Sequence, residues 1–376
     1  MAKRPCFLVF SDDWGEHPSS CQHLFKHIVK EYPVVWVNTV GMRLPRLCKQ
    51  DALKAIKKLK KMFLTASQGK PQKKLPPNLS VLQPFMLPYN KGVFREFNKR
   101  SVIETVRKEL KRRGLQNPIL VTTVPNACDY IGAFDEKKVV YYCVDDFANW
   151  PGHEKDLVLQ MEEELISKTD IFVAVSEKLY LKLKKIQRPT FFLPHGVDLK
   201  SFQFCSETNH FDLIPRPRIG YVGLIDERID WDLIDFLSES LSNVYFVFVG
   251  KIETNNIIEK KNIIFYPPVP YKEVPSILKS LDALILPYLV NDFTQTLSPL
   301  KLKEYLASGK PIVGVPLNEI KKWEPFLKVA QTPEEWLTYL KEALSEERNA
   351  ILPDLYKRLS SEDWLSKAKE FLEICL

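Results

Sequence analysis

A run towards the carboxyl end of the chain, residues 298–313 (SPLKLKEYLASGKPIV), combines side chains that could bind a phosphorylated ligand. It follows a predicted strand, Ala283–Pro287, and a polar loop. A helix would therefore begin at the carboxyl end of a strand, where α/β proteins bind anions. Lys301, in the first turn, opposes the helix dipole unless an anion comes to it. Glu304, one turn further on, could accept hydrogen bonds from a sugar diol. An ordinary helix with a charged surface would show the same spacing.

A second stretch, residues 219–231, contains a glycine and an arginine that suit a diphosphate. The predicted strand Arg218–Val222 ends here, and Gly223 would let the backbone come close to a ligand. Arg228 offers a planar fork of donors that fits a pyrophosphate. Gly220, inside the strand, is explained equally well by packing.

Three other motifs are better explained by structure than by chemistry. Asp230–Asp232 resembles a metal-binding DxD, but acids in the first turn of a helix complement its dipole. Gly309–Pro311 does not complete a P-loop, because Glu304 stands where a glycine is needed and no Ser or Thr follows the lysine. His195 precedes a turn-forming glycine after a predicted strand, which favours a structural role. HExxH, GxSxG and GxGxxG do not occur.

The composition is that of a globular protein with two domains. At 376 residues the chain exceeds the size at which one core keeps growing, and it is 45% hydrophobic and 27% charged. No apolar run is long enough for a transmembrane helix, and Cys6–Phe10 is too short for the core of a signal peptide. Seven cysteines without a CxxC pair indicate a reducing cytoplasm and favour neither a disulfide framework nor a zinc site. The net charge of +7 favours an anionic partner: nucleic acid, lipid headgroups or a phosphorylated substrate.

Strands and helices alternate in two blocks, which predicts an α/β protein with two doubly wound parallel sheets. We predict a first domain over residues 1–208, a second over 209–352 and a C-terminal helix in 353–376, with a polar linker at Asn209–Arg218. The predicted strands are Cys6–Phe10, Val34–Asn38, Asn78–Leu82, Pro118–Thr123, Lys138–Cys143, Ile171–Val175, Thr190–Leu193, Arg218–Val222, Tyr245–Val249, Ile263–Phe265, Ala283–Pro287 and Ile312–Val315. The predicted helices between them are His23–Lys30, Val93–Arg113, Glu154–Lys168, Glu177–Lys185, Trp231–Ser240, Lys272–Leu281 and Pro299–Ser308.

Residues 43–75 depart from this alternation, since they are rich in lysine and arginine and Asp51 is their only acid. Within 51–65, apolar residues recur at helical spacing beside lysines: Leu53, Ile56, Leu59, Met62 and Phe63. The pattern predicts a basic amphipathic helix suited to an anionic membrane, where each lysine would contribute ~1 kcal/mol. Nucleic acid is less favoured, because interleaved aromatic residues and a nucleic-acid module are missing. A solvated helix packed on the first domain is the structural alternative.

Four segments, in order along the chain, resemble a known family. Leu193–Asp198 followed by Phe202 resembles the "PNGVD" hinge of GT-B glycosyltransferases of the retaining, glycogen-synthase-like group. Tyr141–Phe147, Gly220–Arg228 and Ser298–Pro311 resemble a bacterial subgroup of teichuronic-acid-type and other cell-surface polysaccharide transferases. The resemblance implies two Rossmann-like domains that face each other across a cleft. It also implies that the C-terminal helix, with Trp364, crosses back to the first domain.

The resemblance implies a nucleotide-sugar site in the second domain. Glu304 matches the second glutamate of the family's E-x7-E motif, which holds the ribose hydroxyls. The first glutamate, which contacts the donor sugar, falls on Thr296, so this chain departs from the pattern there. The other implied contacts are Ser298, Lys301 and Arg228 with the diphosphate, Gly223 in the loop that carries the arginine, and Val269 and Tyr271 with the base.

On the first domain the resemblance implies an acceptor side made of Asp12, Asp13, Trp14 and His17. Retaining enzymes of this fold use front-face departure of the diphosphate without a protein nucleophile. Arg228, Lys301 and the helix N-terminus would then stabilise the leaving group without a metal or a cofactor. Asp146 and His17 are the candidates for contacting the acceptor hydroxyl.

The expected function is therefore transfer of a sugar from a nucleotide-diphosphate donor, with uracil or guanine as the base. The acceptor would be a glycan or a lipid-linked glycan in cell-surface polysaccharide synthesis. The expected location is the cytoplasm, with peripheral attachment to the inner face of the membrane. A catalytically degenerate binding or partner protein is the first alternative, because of Thr296. A nucleotide-sugar epimerase is the second, and the 301–311 run (KLKEYLASGKP) fits it less well.

Overall fold

The chain forms two compact units. The computed structural model describes residues 4–16, 19–38, 75–87, 92–150, 153–345 and 352–376. The first unit comprises Met1–Val175, Leu179–Leu193 and Ala368–Leu376, and the second comprises Ser176–Lys178 and Pro194–Lys367. The predicted boundary at residue 208 stays a prediction. The polar stretch 209–218 lies within the second unit, where Phe211 is fully buried in the core.

The first unit is built on a parallel sheet in the order β3-β2-β1-β4-β5-β6-β7. Its strands in the described part of the chain are β1 Phe7–Ser11, β2 Val34–Asn38, β3 Leu79–Leu82, β4 Ile119–Thr122, β5 Lys138–Cys143, β6 Ile171–Ala174 and β7 Thr190–Phe192. Every residue of β1 and of β2 is buried, as expected for parallel strands covered on both faces. This explains why they read as continuous apolar runs.

The second unit is built on a parallel sheet in the order β10-β9-β8-β11-β12-β13. Its strands in the described part are β8 Arg218–Val222, β9 Tyr245–Val249, β10 Ile263–Tyr266, β11 Ala283–Leu286, β12 Ile312–Gly314 and β13 Lys328–Val329. In each unit the first strand is flanked by the second and the fourth. The chain therefore reverses its direction of travel across the sheet there, which opens a crevice at the carboxyl ends of those strands.

The helices pack against these sheets. In the described residues they are α1 Ser20–Ile28, α2 Gly92–Arg113, α3 Lys155–Lys168, α4 Glu177–Lys184, α5 Leu199–Gln203, α6 Trp231–Ser240, α7 Val274–Lys279, α8 Leu300–Ser308, α9 Asn318–Lys321, α10 Pro333–Ser345, α11 Leu352–Ser360 and α12 Trp364–Cys375. Serine and aspartate caps begin several of them: Ser19 accepts from the Gln22 amide at 3.3 Å, and Asp230 accepts from the Leu233 amide at 3.0 Å. Asp230 is thus the cap residue of α6, and of the predicted acidic pair only Asp232 lies in the first turn.

Helix α12 begins in the second unit and continues into the first, which confirms the predicted return of the C-terminal helix. The Trp364 ring packs so closely on Gly196 that a Cβ there would lie 2.8 Å from it. Further along, the ring of Phe371 is fully buried and contacts Phe25 and Tyr142, with ring centroids 6.0 and 5.5 Å away.

The structure also corrects several local predictions. Helix α5, helix α9 and strand β13 were not predicted, since each is too short to show periodicity. Pro299 occupies the cap position before α8 rather than its first turn. The predicted basic helix at 51–65 and His17 lie outside the described residues. Among the described helices, none is both long and apolar enough to cross a membrane.

Candidate functional site

The candidate site in the second unit lies where β8 and β11 are neighbours although two strands separate them in the chain. The loop with Gly223 and Arg228 leaves β8, and the segment that leads into α8 leaves β11. Both segments leave from carboxyl ends of parallel strands, which is the edge at which open α/β sheets bind ligands.

Helix α8 is anchored so that its first turn lies beside the end of β8. The hydroxyl of Tyr305 accepts a hydrogen bond from the Val222 amide at 2.6 Å, and Leu302 and Leu306 are buried in the core. Gly309 ends the helix in the left-handed conformation, with φ of 74°, directly after Ser308, the residue at which the helix was predicted to end.

The Lys301 ammonium, on that first turn, points at the exit of β8. It donates to the Tyr221 hydroxyl at 2.6 Å and lies 3.8 Å from the centroid of the same ring. A Cβ on Gly223 would lie 2.3 Å from the Lys301 Nζ atom, so glycine leaves this approach open. Burial, and then the charge of Arg228, lowers the pKa of Lys301 to about 7. The free protein thus holds a cation that gains by meeting an anion.

Arg228 is held in its loop by a carboxylate. Its Nε atom lies 2.9 and 3.0 Å from the two carboxylate oxygens of Asp226, and Nη2 lies 2.7 Å from Oδ2. Burial opposes the charge, but the bonds to Asp226 outweigh it, and the pKa of Arg228 is raised. The guanidinium is therefore charged and oriented.

Glu304 lies one turn along α8 from Lys301. It is half-buried, and its side chain lies near the Tyr271 hydroxyl. Burial raises the pKa of Glu304 to about 7, although Tyr271 and the charge of Lys301 act the other way. A carboxylate between a tyrosine hydroxyl and a lysine can accept from the hydroxyls of a sugar.

The remaining predicted donor residues differ in their surroundings. Thr296 is buried, and its hydroxyl donates to the Phe293 carbonyl at 2.6 Å, so it serves the backbone of the turn before α8. Ser298 is half-buried two residues before α8 begins. Val269 is half-buried and packs against the core on the segment that leads to Tyr271.

Sequence reasoning missed four residues that complete this site. Tyr221 and Tyr288 are buried, and Lys301 lies over both rings, 5.7 Å from the centroid of Tyr288. Asp226 orients the arginine. Gly250, with φ of 152°, comes so close to Gly223 that a Cβ would lie 1.8 Å from its carbonyl oxygen. The sequence does contain one signal for this site: Gly223 directly follows β8, and Gly250 directly follows the neighbouring strand β9.

In the first unit the residues predicted as the acceptor side follow β1, at the equivalent point of its sheet. Asp12 accepts from Gln22 Nε2 at 2.5 Å and from the Ser11 hydroxyl at 2.8 Å. The Trp14 ring packs on Trp36, with ring centroids 4.8 Å apart. Asp13, between Asp12 and Trp14 in the sequence, is half-buried. These contacts connect the loop after β1 to α1 and β2.

Asp146 and His195 also lie after strands of the first sheet. Asp146 is buried after β5 and accepts from Asn149 Nδ2 at 2.8 Å. The His195 carbonyl accepts from the buried ammonium of Lys303, which also pairs with Glu362 at 2.7 Å. His195 thus joins this ion pair through its backbone carbonyl, and the structural role of its side chain stays a prediction.

One group of three potential metal ligands occurs in the described residues: Cys128, Asp129 and Glu164. Arg95 enters this group, with Nε 2.8 Å from Asp129 Oδ1 and Nη2 2.9 Å from Glu164 Oε2. The guanidinium already compensates both carboxylates, so the cluster reads as an ion-pair network.

The family match to known proteins lies within the second unit. Residues 216–346 match the family "Glycosyl transferases group 1". A 112-residue stretch is 32% identical to TuaH of Bacillus subtilis (strain 168), described as a teichuronic acid biosynthesis glycosyltransferase. That match covers 28% of this chain and 28% of TuaH.

Solved structures match nearly the whole chain. HepE of Anabaena, in complex with UDP and glucose, has a TM-score of 0.64 at 12% identity, over 98% of this chain and 99% of that one. The trehalose-6-phosphate protein of E. coli bound with UDP-2-fluoro glucose has a TM-score of 0.64 at 10% identity, over 98% of each chain. The chain therefore has the GT-B fold, and its residues 216–346 are similar to the group 1 glycosyl transferases.

Proposed function

We propose that the protein is a retaining glycosyltransferase that takes a sugar from a nucleoside-diphosphate donor. The observation that carries the proposal is the arrangement of Lys301, Arg228 and Gly223 at the switch point of the second sheet. Two cationic side chains and an open backbone converge there at the N-terminus of α8, and Glu304 lies one turn away. This combination matches a diphosphate followed by a ribose.

The chemistry requires the bond between the anomeric carbon and the diphosphate oxygen to break. Negative charge develops on the departing diphosphate, and Lys301, Arg228 and the first amides of α8 would stabilise it. The acceptor hydroxyl forms the new glycosidic bond on the same face of the sugar, and its proton leaves with the diphosphate. No protein nucleophile is required in this scheme.

Each part of the donor has a proposed partner. Glu304 would accept from the ribose hydroxyls, Ser298 would lie beside the diphosphate, and Val269 with Tyr271 would border the base. UDP-glucose is the first donor to test, because HepE was solved with UDP and glucose and the E. coli protein with a UDP-glucose analogue. The buried, backbone-bonded Thr296 leaves the donor sugar without the usual carboxylate contact.

The acceptor is proposed to be a glycan or a lipid-linked glycan of the cell envelope, on the basis of the partial likeness to TuaH. Asp12, Asp13, Trp14 and Asp146 would line its side of the site in the first unit. We further propose peripheral attachment to anionic lipid at the cytoplasmic face of the membrane through the basic segment 43–75. Sedimentation with anionic vesicles at low salt tests this attachment, and a protein that stays in the supernatant would contradict it.

The decisive experiment compares Arg228→Ala and Lys301→Ala with Lys260→Ala, a lysine that pairs with the exposed acids Asp235 and Glu239. With UDP-glucose and other UDP- and GDP-sugars as donors, the first two variants should lose about 100-fold or more in turnover. Lys260→Ala should keep wild-type turnover, and all three variants should remain folded at the assay temperature. Wild-type turnover of either site variant would reject the diphosphate assignment.

Thr296 also keeps a second function open, a GT-B binding protein without transfer. Calorimetric titration with UDP and GDP separates the two. Nucleotide binding with no transfer from any tested donor would favour the binding protein, and no nucleotide binding would reject both.

A further inference from the structure

Lys303 lies on the side of α8 opposite to Lys301. Successive residues of a helix are about 100° apart around its axis, so Lys303 lies about 200° from Lys301. The Lys303 side chain is buried, and its ammonium donates to the His195 carbonyl and, at 2.7 Å, to Oε2 of Glu362. Glu362 also pairs with Lys367 at 3.2 Å. A buried ion pair therefore anchors the side of α8 that faces away from Lys301.

Both contacts of this lysine belong to segments at the ends of the second unit's main stretch, Pro194–Lys367. His195 directly follows its first residue, and Glu362 lies close to its last. The two segments also bond to each other, because the Val197 amide donates to the Glu362 carbonyl at 2.8 Å. The Trp364 ring packs on the glycine between His195 and Val197. Helix α8 is thus connected to the paired segments through which the chain enters and leaves this unit.

The Lys303 pair is better suited to fixing a geometry than to adding stability. Burial lowers the pKa of Lys303, although the charge of Glu362 acts the other way. Replacing a buried ion pair by apolar side chains often leaves a protein equally or more stable. Apolar contacts are non-directional, whereas a hydrogen bond requires a defined distance and angle. We therefore expect the pair to determine how α8 is rotated about its axis.

We propose that the Lys303–Glu362 pair positions α8 for donor binding by fixing this rotation. The proposal rests on the proposed function, because it takes α8 as the helix that binds the diphosphate and the ribose. Lys301, Lys303 and Glu304 lie within about one turn, so a rotation of α8 moves all three together. Lys303 is thus a positioning residue, which acts on the donor through its neighbours. By linkage, whatever the pair adds to nucleotide affinity, bound nucleotide adds to the stability of the paired segments.

Calorimetric titration of the full-length protein with UDP and GDP tests the effect on affinity. Lys303→Met removes the charge and should raise the nucleotide Kd about tenfold. Glu362→Gln should act in the same direction. The double variant should bind no more weakly than the weaker single variant, because both substitutions break the same pair. Lys303→Arg, which can still donate to Glu362, should keep most of the affinity.

Arg216→Met is the matched control. Arg216 pairs with Asp282 and, at 2.7 Å, with Glu207, and it lies just before the amino end of β8. Its substitution removes a comparable ion pair from the opposite end of the strand and should leave the nucleotide Kd unchanged.

Hydrogen exchange separates positioning from support of the fold. With nucleotide at a concentration that saturates each protein, exchange of the Val197 amide should slow in the wild type, and Lys303→Met should lose this protection. The Val222 amide, which donates to the Tyr305 hydroxyl of the same helix, should be protected in both proteins. A lysine that only supported the fold would change exchange equally with and without nucleotide.

An unchanged Kd in Lys303→Met would overturn the positioning role, even if its free energy of unfolding falls. A raised Kd with unchanged nucleotide protection at Val197 would overturn it as well. If Lys303→Met does not fold, Glu362→Gln carries the same two measurements. A wild-type protein that binds neither UDP nor GDP would reject the transferase and this proposal together, whereas nucleotide binding that is independent of Lys303 would reject this proposal alone.

Discussion

The charge of Lys301 is unfavourable for the stability of the free protein and favourable for the binding of an anion. Its ammonium is half-buried at the N-terminus of a helix and near a second cation, so each of its surroundings disfavours the charge. The Tyr221 hydroxyl, the ring beneath it and the charges of Asp226 and Glu304 offset part of this cost. Such a residue lowers the stability of the free protein and raises affinity for an anion.

Lys301→Met should therefore stabilise the free protein. Lysine has an ordinary pKa of 10.5, and that of Lys301 in the folded protein is about 7. Below pH 7 the lysine is charged in the folded and the unfolded chain, and the whole cost is present. Between pH 7 and 10.5 the folded form loses its proton and the cost shrinks. We expect a gain of about 2 kcal/mol in the free energy of unfolding at pH 7, allowing for water around a half-buried group.

Urea unfolding between pH 6 and 10 checks this expectation. The gain should be largest at or below pH 7 and should fade as the pH approaches 10. Lys260→Met, at an exposed ion pair, should contribute little at any pH. A destabilised Lys301→Met would mean that the lysine supports the fold.

Nucleotide binding should take up a proton at Lys301. At pH 8 most of this lysine is neutral in the free protein, and a bound diphosphate would recharge it. Calorimetry of UDP binding at pH 8, in buffers of different ionisation enthalpy, should therefore report an uptake approaching one proton. The Kd should rise up to tenfold per pH unit above 7. Lys301→Met should abolish the uptake, and a wild-type protein with no uptake would contradict the pKa assignment.

At the scale of elements, β8 carries two glycines with different tasks. Gly223, with φ of 146°, lies at its exit against the Lys301 ammonium. Gly220, inside the strand, faces Leu281, whose Cδ1 would lie 2.2 Å from an added Cβ. One position serves the ligand site and the other serves the packing of the sheet, although both belong to the same short sequence.

Alanine substitutions should separate these tasks. Gly223→Ala places a Cβ in a strained conformation, at about 1–3 kcal/mol, where the ligand must approach, and should raise the Kd for UDP at least tenfold. Gly220→Ala should lower the unfolding free energy by about 1–3 kcal/mol through overpacking and leave the Kd of the folded protein unchanged. Calorimetry and urea unfolding of both variants measure this contrast, and equal effects on affinity would remove the distinction.

At the scale of the whole molecule, helix α12 belongs to both units. Its first turn covers Gly196 in the second unit, and Lys367 pairs with Glu362 at 3.2 Å. Its later turns bury Phe371 in the first unit, where Lys138 donates to the Cys375 carbonyl at 2.8 Å. The carboxyl end of the chain thus supplies core residues to the amino-terminal unit.

Phe371→Ala should destabilise the first unit specifically. Loss of a fully buried phenylalanine costs about 3 kcal/mol or more, because the cavity is only partly filled by relaxation. Hydrogen exchange of β1 and β5 should accelerate, whereas exchange of β8 should not change. Leu365→Ala, 47% exposed on the same helix, is the control and should have little effect. Equal acceleration in both sheets would indicate that the units unfold together.

Much of the fold could be predicted, because the spacing of apolar residues and the residues that end helices and strands both depend on local structure. Continuous apolar runs such as Phe7–Ser11 mark strands buried on both faces, and Gly309 marks the end of a helix. The placement of Lys301 and Glu304 one turn apart also follows from helical geometry alone, as does their position after a strand. Alternation of the two element types then predicts parallel sheets.

Only the tertiary structure decided which distant residues meet. Lys301 and Tyr221 lie 80 residues apart in sequence, and their contact depends on β8 and β11 being neighbours in the sheet. Helical and strand periods are the same for every strand order, so they carry no information on such a pairing. Two other contacts depend on packing in the same way: the hydrogen bond from the Thr296 hydroxyl to the Phe293 carbonyl, and the position of the Lys182 ammonium near both Asp146 and Glu162. The sequence by itself determined the elements and their chemical content, and the order of the strands decided which side chains share a site.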